Sequence, residues 1–238
     1  MDLIAGLPYQ TPESWRRSLN ALSSLRPEHV SVYLLEIDEG SRLGREVLSE
    51  GSRYGADRIP DDDTMAACYE AACASLAGTG YEHYEISNWA LPGLASQHNL
   101  KYWRRESYLG FGAGAHSFLS QGASGGDSKK GCRGRRWANV HDPAAYVAAI
   151  GRGVLPVEPN PSGEEVTPRQ ALEEELFLGL RKLAGIDVER IEAQYDVELG
   201  SRIRELCDQG LMERAGPIAR LAPGRLTVAN EVFVALLD

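Results

Sequence analysis

The sequence predicts an α/β protein that ends in a smaller α+β module. Three observations carry this. Segments 2–5, 29–37 and 81–87 are short, apolar and rich in β-branched or aromatic residues, and longer helical-period stretches separate them. The connections are long enough for parallel crossovers. From Thr167 onward the pattern turns to helices and a hairpin.

Taken in order, Asp2–Ala5 reads as a buried strand closed by Gly6 and Pro8. Thr11 is a good N-cap, Pro12 suits the first helical position, and Trp15, Leu19, Leu22 and Leu25 form one apolar face. Pro27 stops that helix. His29–Ile37 is the clearest strand. Asp61–Asp63 open a second helix with Met65, Cys68, Ala72 and Leu76 inward, and Gly78 and Gly80 end it. Tyr81–Ser87 is a third strand, expected parallel to the others.

Residues 120–136 read as a Gly/Ser-rich, solvated loop with a basic cluster of Lys129, Lys130, Arg133, Arg135 and Arg136 around Cys132. Residues 155–166 carry enough proline and glycine for a linker. Thr167 to Gln170 is a capping box, and Leu172, Leu176, Leu180 and Leu183 make a buried stripe. Asp187 caps a second helix and a third reaches Cys207. With the hairpin beyond it, this is a winged-helix-like pattern. The division expected is 1–118, a connection over 119–165, and 166–238.

The 238 residues suffice for one large domain or two smaller ones. A net charge of −9 argues against nucleic acid as a partner, and the acidic C-terminal helices argue against DNA docking. The four cysteines contain no CxxC or CxxxCxxC and fit a reducing cytoplasm. No apolar run reaches membrane-spanning length and no signal-peptide pattern stands at the start, so the expected location is cytoplasmic.

The stretch HNLKYWRRESYLGFGAGAHS, His98–Ser117, concentrates the chemistry. His98 and Tyr102 share a face if the segment is helical. Imidazole and phenolate both ligate haem iron, and Trp103, Arg104 and Arg105 suit a macrocycle or its carboxylates. The bland alternative is a structural hydrogen bond. Gly110, Gly112 and Ala115 satisfy a degenerate dinucleotide fingerprint, but no good strand precedes them. A tight loop approaching a ligand is the better reading. Asp2, at a strand start, is either a sheet-end hydrogen bonder or a carboxylate that grasps ribose or amine groups of a nucleotide-like cofactor.

The stretches DLIAGLPYQTPESW, VSVYLLEI, YEISNWALPG, HNLKYW, YLGFGAGAHSF, RRWANV, LGLR and ANEVF together resemble the later portion of the radical SAM haem chaperones (HemW), relatives of the oxygen-independent coproporphyrinogen III oxidases. The resemblance implies a partial (β/α)6 barrel followed by a winged-helix-like domain. It implies haem as ligand, and S-adenosylmethionine with a [4Fe-4S] cluster in the complete protein. The family holds its cluster by CxxxCxxC near the N-terminus, so this chain is expected to begin at an internal methionine or to be a fragment, and no cluster ligand is assigned. Asp2 matches the adenosylmethionine-binding aspartate, while Glu36 and His116 align with positions lining that cofactor's pocket. The HNxxY residues His98, Asn99 and Tyr102 separate chaperone from oxidase and are the expected haem site. The implied partners are haem-accepting proteins such as respiratory enzymes, a membrane-associated recipient and a second copy of the chain being compatible with it. The alternatives are a porphyrinogen-decarboxylating oxidase and a non-catalytic protein-interaction module centred on 166–238.

Overall fold

The first strand, β1 (Asp2–Ala5), lies parallel to β2 (His29–Leu34), with Asp2 opposite Ser31 and Ala5 opposite Leu34. The helix between them, α1 (Pro12–Leu25), starts as its sequence directs: the Thr11 side chain accepts from the Ser14 N–H and Ser14 bonds back. Trp15, Leu19 and Leu22 are buried, whereas Leu25, expected on the same face, is exposed. This computed structural model describes residues 1–120, 134–157, 164–226 and 229–237, arranged as two units, 1–96 and 97–238.

In the first unit, α2 (Arg42–Leu48) and a 3-10 turn lead to α3 (Asp62–Gly78), which packs on α1 and carries Cys68, Ala72 and Leu76 inward. The Trp15 indole N–H donates to the Cys68 carbonyl at 2.7 Å, so the two helices are held by a buried hydrogen bond as well as by apolar contact.

The third strand departs from expectation. The run from Tyr81 breaks into β3 (Glu82–Glu85) and β4 (Asn88–Ala90), joined by a two-residue turn in which Glu85 faces Asn88. The sheet order is β1-β2-β4-β3, and β4 lies antiparallel to both neighbours. The reason is burial. Glu85 is fully buried at the turn, where it accepts from the Ser87 N–H and the Asn88 side chain. All of β4 is buried whereas Glu85 is the one buried residue of β3, so the strand bearing Trp89 takes the inner position. β1 remains at an edge, with Ile4, Tyr33 and Leu34 exposed on it and its neighbour.

The second unit begins with α4 (Gln97–Trp103), followed by an antiparallel sheet of β5 (His116–Ser120), β6 (Gly134–Ala138) and β7 (Glu164–Val166) with α5 (Pro143–Gly151) between the last two strands. Two expectations are corrected here. Arg135 and Arg136 stand in β6, not in a solvated loop, and Glu164–Val166 is a strand, not a linker. Arg136 leaves the solvated cluster because a carboxylate and an aromatic ring hold it, as described below. Lys129, Lys130, Cys132 and Arg133 lie outside the described residues.

Beyond these, α6 (Pro168–Arg181) carries the Thr167–Gln170 capping box, β8 (Ile186–Asp187) leads to α7 (Val188–Tyr195) with Asp187 as N-cap, and α8 (Gly200–Asp208) precedes the hairpin of β9 (Met212–Ala215) and β10 (Ile218–Leu221). The small sheet is ordered β8-β10-β9, and α9 (Ala229–Leu237) packs on α6 and α8. Leu176, Leu180, Ile191, Ile203 and Val232 form its interior.

Candidate functional site

The helical spacing predicted for the HNxxY motif is present. α4 places His98 and Tyr102 one turn apart, and their rings meet edge to face with centroids 5.0 Å apart. His98 is exposed, and Asn99 and Tyr102 are half-buried. The contact continues inward. Tyr102 meets Tyr108 at 4.6 Å, and Tyr108 meets the buried Phe118 at 6.2 Å. Tyr108 and Phe118 also exchange backbone hydrogen bonds of 2.8 and 2.9 Å, which fix the end of this row to β5.

The reversal that brings Tyr108 under Tyr102 occurs at Arg105, whose φ of 56° is a left-handed conformation that side-chain-bearing residues rarely adopt. Both ends of the residue are tied. Its N–H donates to the Tyr102 carbonyl at 2.9 Å, and its Nε donates to Glu174 Oε2 at 2.6 Å. The other oxygen of Glu174 is 2.9 Å from Arg136 Nη2. One carboxylate on α6 thus joins two guanidinium groups, and both lie against the Phe118 ring, at 4.9 and 5.5 Å from its centroid. The Arg105 side chain is only 8% exposed, so this pair works at low dielectric. Burial pushes the Tyr108 phenol above its ordinary range, and Arg136 partly offsets this.

The arginines beside the motif therefore have different duties. Arg105 is committed to Glu174, whereas Arg104 is half-exposed with the exposed Glu106 3.8 Å away. Trp103 lies under the Arg181 guanidinium at 4.8 Å. Lys182 is pushed below its usual range by burial, then by the charges of Arg104 and Arg190.

The glycine run does not form a dinucleotide loop: β5 follows it, where a helix would have to begin. Its tight approach is to its own backbone. A Cβ on Gly110 would lie 2.2 Å from the His116 carbonyl oxygen. The buried Asn139 donates from Nδ2 to the Gly110 and Gly112 carbonyls, and the Gly112 N–H donates to the Tyr146 hydroxyl. The loop presents Phe111, 84% exposed, to solvent.

The other candidate residues are dispersed. Asp2 opens β1 and is exposed, while Glu36 lies just past the carboxyl end of β2 and is exposed too. Since Asp2 is in register with Ser31, the two acids are separated by about 16 Å along the strands. His116 opens β5 in the second unit and is exposed. Of the six, only His98, Asn99 and Tyr102 stand on one element.

His98 and Tyr102 are side-chain types that would hold haem iron, and of the two the exposed imidazole is the more accessible donor. The cysteines do not fit an iron–sulfur cluster. Cys68, Cys73 and Cys207 are buried or half-buried, burial raises all three thiols, and no group of three or more metal-ligating side chains occurs among the described residues.

Residues absent from the sequence reading of the site are Tyr108, Phe118, Arg136 and Glu174. Tyr108 lay within the quoted stretch, but nothing in periodicity links it to Tyr102, and Glu174 is one of three consecutive acids on α6 that spacing alone does not tell apart.

Comparison with known proteins gives a consistent result. Residues 166–223 match the family model described as HemN C-terminal domain. A protein of Bacillus subtilis named Heme chaperone HemW is 34% identical over 241 residues, covering 100% of this chain and 58% of the relative. One of the same name from Lactococcus lactis is 32% identical, covering 98% and 56%. The bovine radical S-adenosyl methionine domain-containing protein 1, mitochondrial, is 32% identical, covering 100% and 52%. The chain thus spans little more than half the length of these relatives. Among solved structures, the coproporphyrinogen III oxidase HemN of Escherichia coli, described as a radical SAM enzyme, superimposes with a TM-score of 0.68 at 19% identity, covering 99% of this chain and 54% of that one. At that identity the likeness is one of α/β fold.

Proposed function

The chain belongs with the HemW sequences that it matches from end to end, and from that relationship we propose that it binds haem on α4 and passes it to haem-dependent proteins. The observation that carries this reading is the His98–Tyr102 pair: an exposed imidazole backed edge-on by a phenol on a short helix. His98 is the proposed axial ligand, and Tyr102 holds its ring. Asn99 completes the motif.

Asp2 and Glu36 are the residues of the first unit proposed to contribute to adenosylmethionine binding. The described cysteines, Cys68, Cys73 and Cys207, do not suit an iron–sulfur cluster. The proposed recipients are haem-dependent enzymes such as those of respiration, met in the cytoplasm; among the described residues no helix is long and apolar enough to cross a membrane. The three helices α6–α8 and the small antiparallel sheet support a winged-helix-like docking role for the C-terminal domain.

A haem titration followed by the Soret band tests the proposal. The His98→Ala protein should bind haem about tenfold or more weakly, with a shifted band. Affinity and band equal to the parent would remove His98 from the site.

A further inference from the structure

Haem-ligating side chains work only when something holds their orientation, and on α4 the holding groups lie outside the motif. Tyr102 rests on Tyr108, Tyr108 on Phe118, and Phe118 against the guanidinium groups of Arg105 and Arg136. Those two groups converge on one carboxylate, 2.6 and 2.9 Å from its two oxygens. Arg105 also has the strained backbone, with φ of 56°, directly after α4. A strained residue persists only where its surroundings over-determine it, and such residues collect at functional sites.

We infer that Glu174, on α6 of the HemN C-terminal domain, is a positioning residue for the His98–Tyr102 pair, acting through Arg105 and Tyr108. The inference rests on the haem reading above and deepens it by adding a residue seventy-odd positions away from the motif to the site.

The physical path is short. Glu174 fixes the Arg105 side chain, and with it the left-handed turn that ends α4. That turn sets where Tyr108 meets Tyr102, and the Tyr102 ring in turn limits how the His98 imidazole can rotate. Arg136 holds the same carboxylate from β6, so the fork cannot swing. Removing the charge on Glu174 takes away the carboxylate that lies 2.6 Å from the nearly buried Arg105, and the turn loosens. Tyr102 then loses its backing, and His98 samples more rotamers before it meets iron.

The test is haem titration of the full chain and of Glu174→Gln, with the Soret position at saturation and the far-UV circular dichroism recorded for both. Glu174→Gln should stay folded, bind haem about tenfold more weakly, as expected for groups that orient a ligand, and show a shifted band. A folded Glu174→Gln protein with parental affinity and parental band overturns the inference. Should Glu174→Gln fail to fold, Tyr108→Leu carries the test, because it interrupts the row and leaves both ion pairs in place; the same tenfold loss supports the inference and unchanged binding overturns it. His98→Ala, titrated alongside, separates the two ideas. If it loses the band and the other variants keep it, haem binds on α4 and Glu174 does not position the site. If it binds like the parent, the haem reading fails and this inference with it.

Discussion

His83 lies flat on Trp89, ring centroids 3.9 Å apart and planes 10° from parallel, with its Nε2 donating to the Ile86 carbonyl. Burial lowers its pKa from 6.5 to about 4, against the two backbone hydrogen bonds that raise it. The folded value lies below the unfolded one, so the unfolded chain takes up the proton first as pH falls. Stability is complete above pH 6.5, drops as pH falls toward 4, and levels below that. Allowing for solvent at its partly exposed edge, the loss attributable to His83 is about 2 kcal/mol. Urea unfolding of the parent and of His83→Phe at pH 7 and pH 4.5 should show the parent losing stability relative to the variant at the acid end; a constant difference would exclude His83 as the source.

Phe118 is a core residue with two cations against its ring. Phe118→Leu keeps most of the apolar volume and discards both ring–guanidinium contacts. It should cost about 1–3 kcal/mol in chemical denaturation, more than an ordinary volume-conserving core exchange. Destabilisation below about 0.5 kcal/mol would mean the arginines merely lie near the ring.

Gly110 and Gly151 give a matched pair. A methyl group at Gly110 meets the His116 backbone, whereas one at Gly151 meets nothing within 4 Å. Gly110→Ala should therefore destabilise by about 1–3 kcal/mol and Gly151→Ala should be neutral or stabilising. Equal thermal midpoints for the two variants would contradict the close approach.

Thr167 caps α6 and receives the Gln170 N–H at 3.3 Å. Thr167→Ala should lower stability by about 1 kcal/mol. Glu174 lies on the second turn of the same helix, so haem affinity in this variant should stay within about threefold of the parent if fraying stops short of it.

The thiols offer a chemical check. Burial holds Cys68, Cys73 and Cys207 above the usual thiol range. Alkylation of these three at pH 8, followed by peptide mass mapping, should be slow in the native protein and fast in urea. Rapid native labelling of Cys68 would contradict its burial.

Much of this architecture was legible in the chain. Thr11 with Pro12, Asp61, Thr167 with Gln170, and Asp187 each marked a helix start that the structure keeps, because a cap is satisfied by residues within one turn of itself. HNxxY was legible for the same reason, since positions four apart on a helix must meet. The break at Ile86–Ser87 was not, because alternating residues on either side read as one strand until the burial of Glu85 and Trp89 is known.

By itself, then, the sequence determined the starts of α1, α3, α6 and α7, the parallel β1–β2 pair and the face shared by His98 and Tyr102, all of which follow from chemistry local to a few residues, whereas α2 stands in a stretch that reads as loop. Only the tertiary structure decided that β4 would separate β2 from β3 and that Glu174 would join Arg105 to Arg136. The physical reason is common to both. Which buried group finds a partner far away in the chain depends on how whole elements pack, and no pattern of neighbouring residues encodes that.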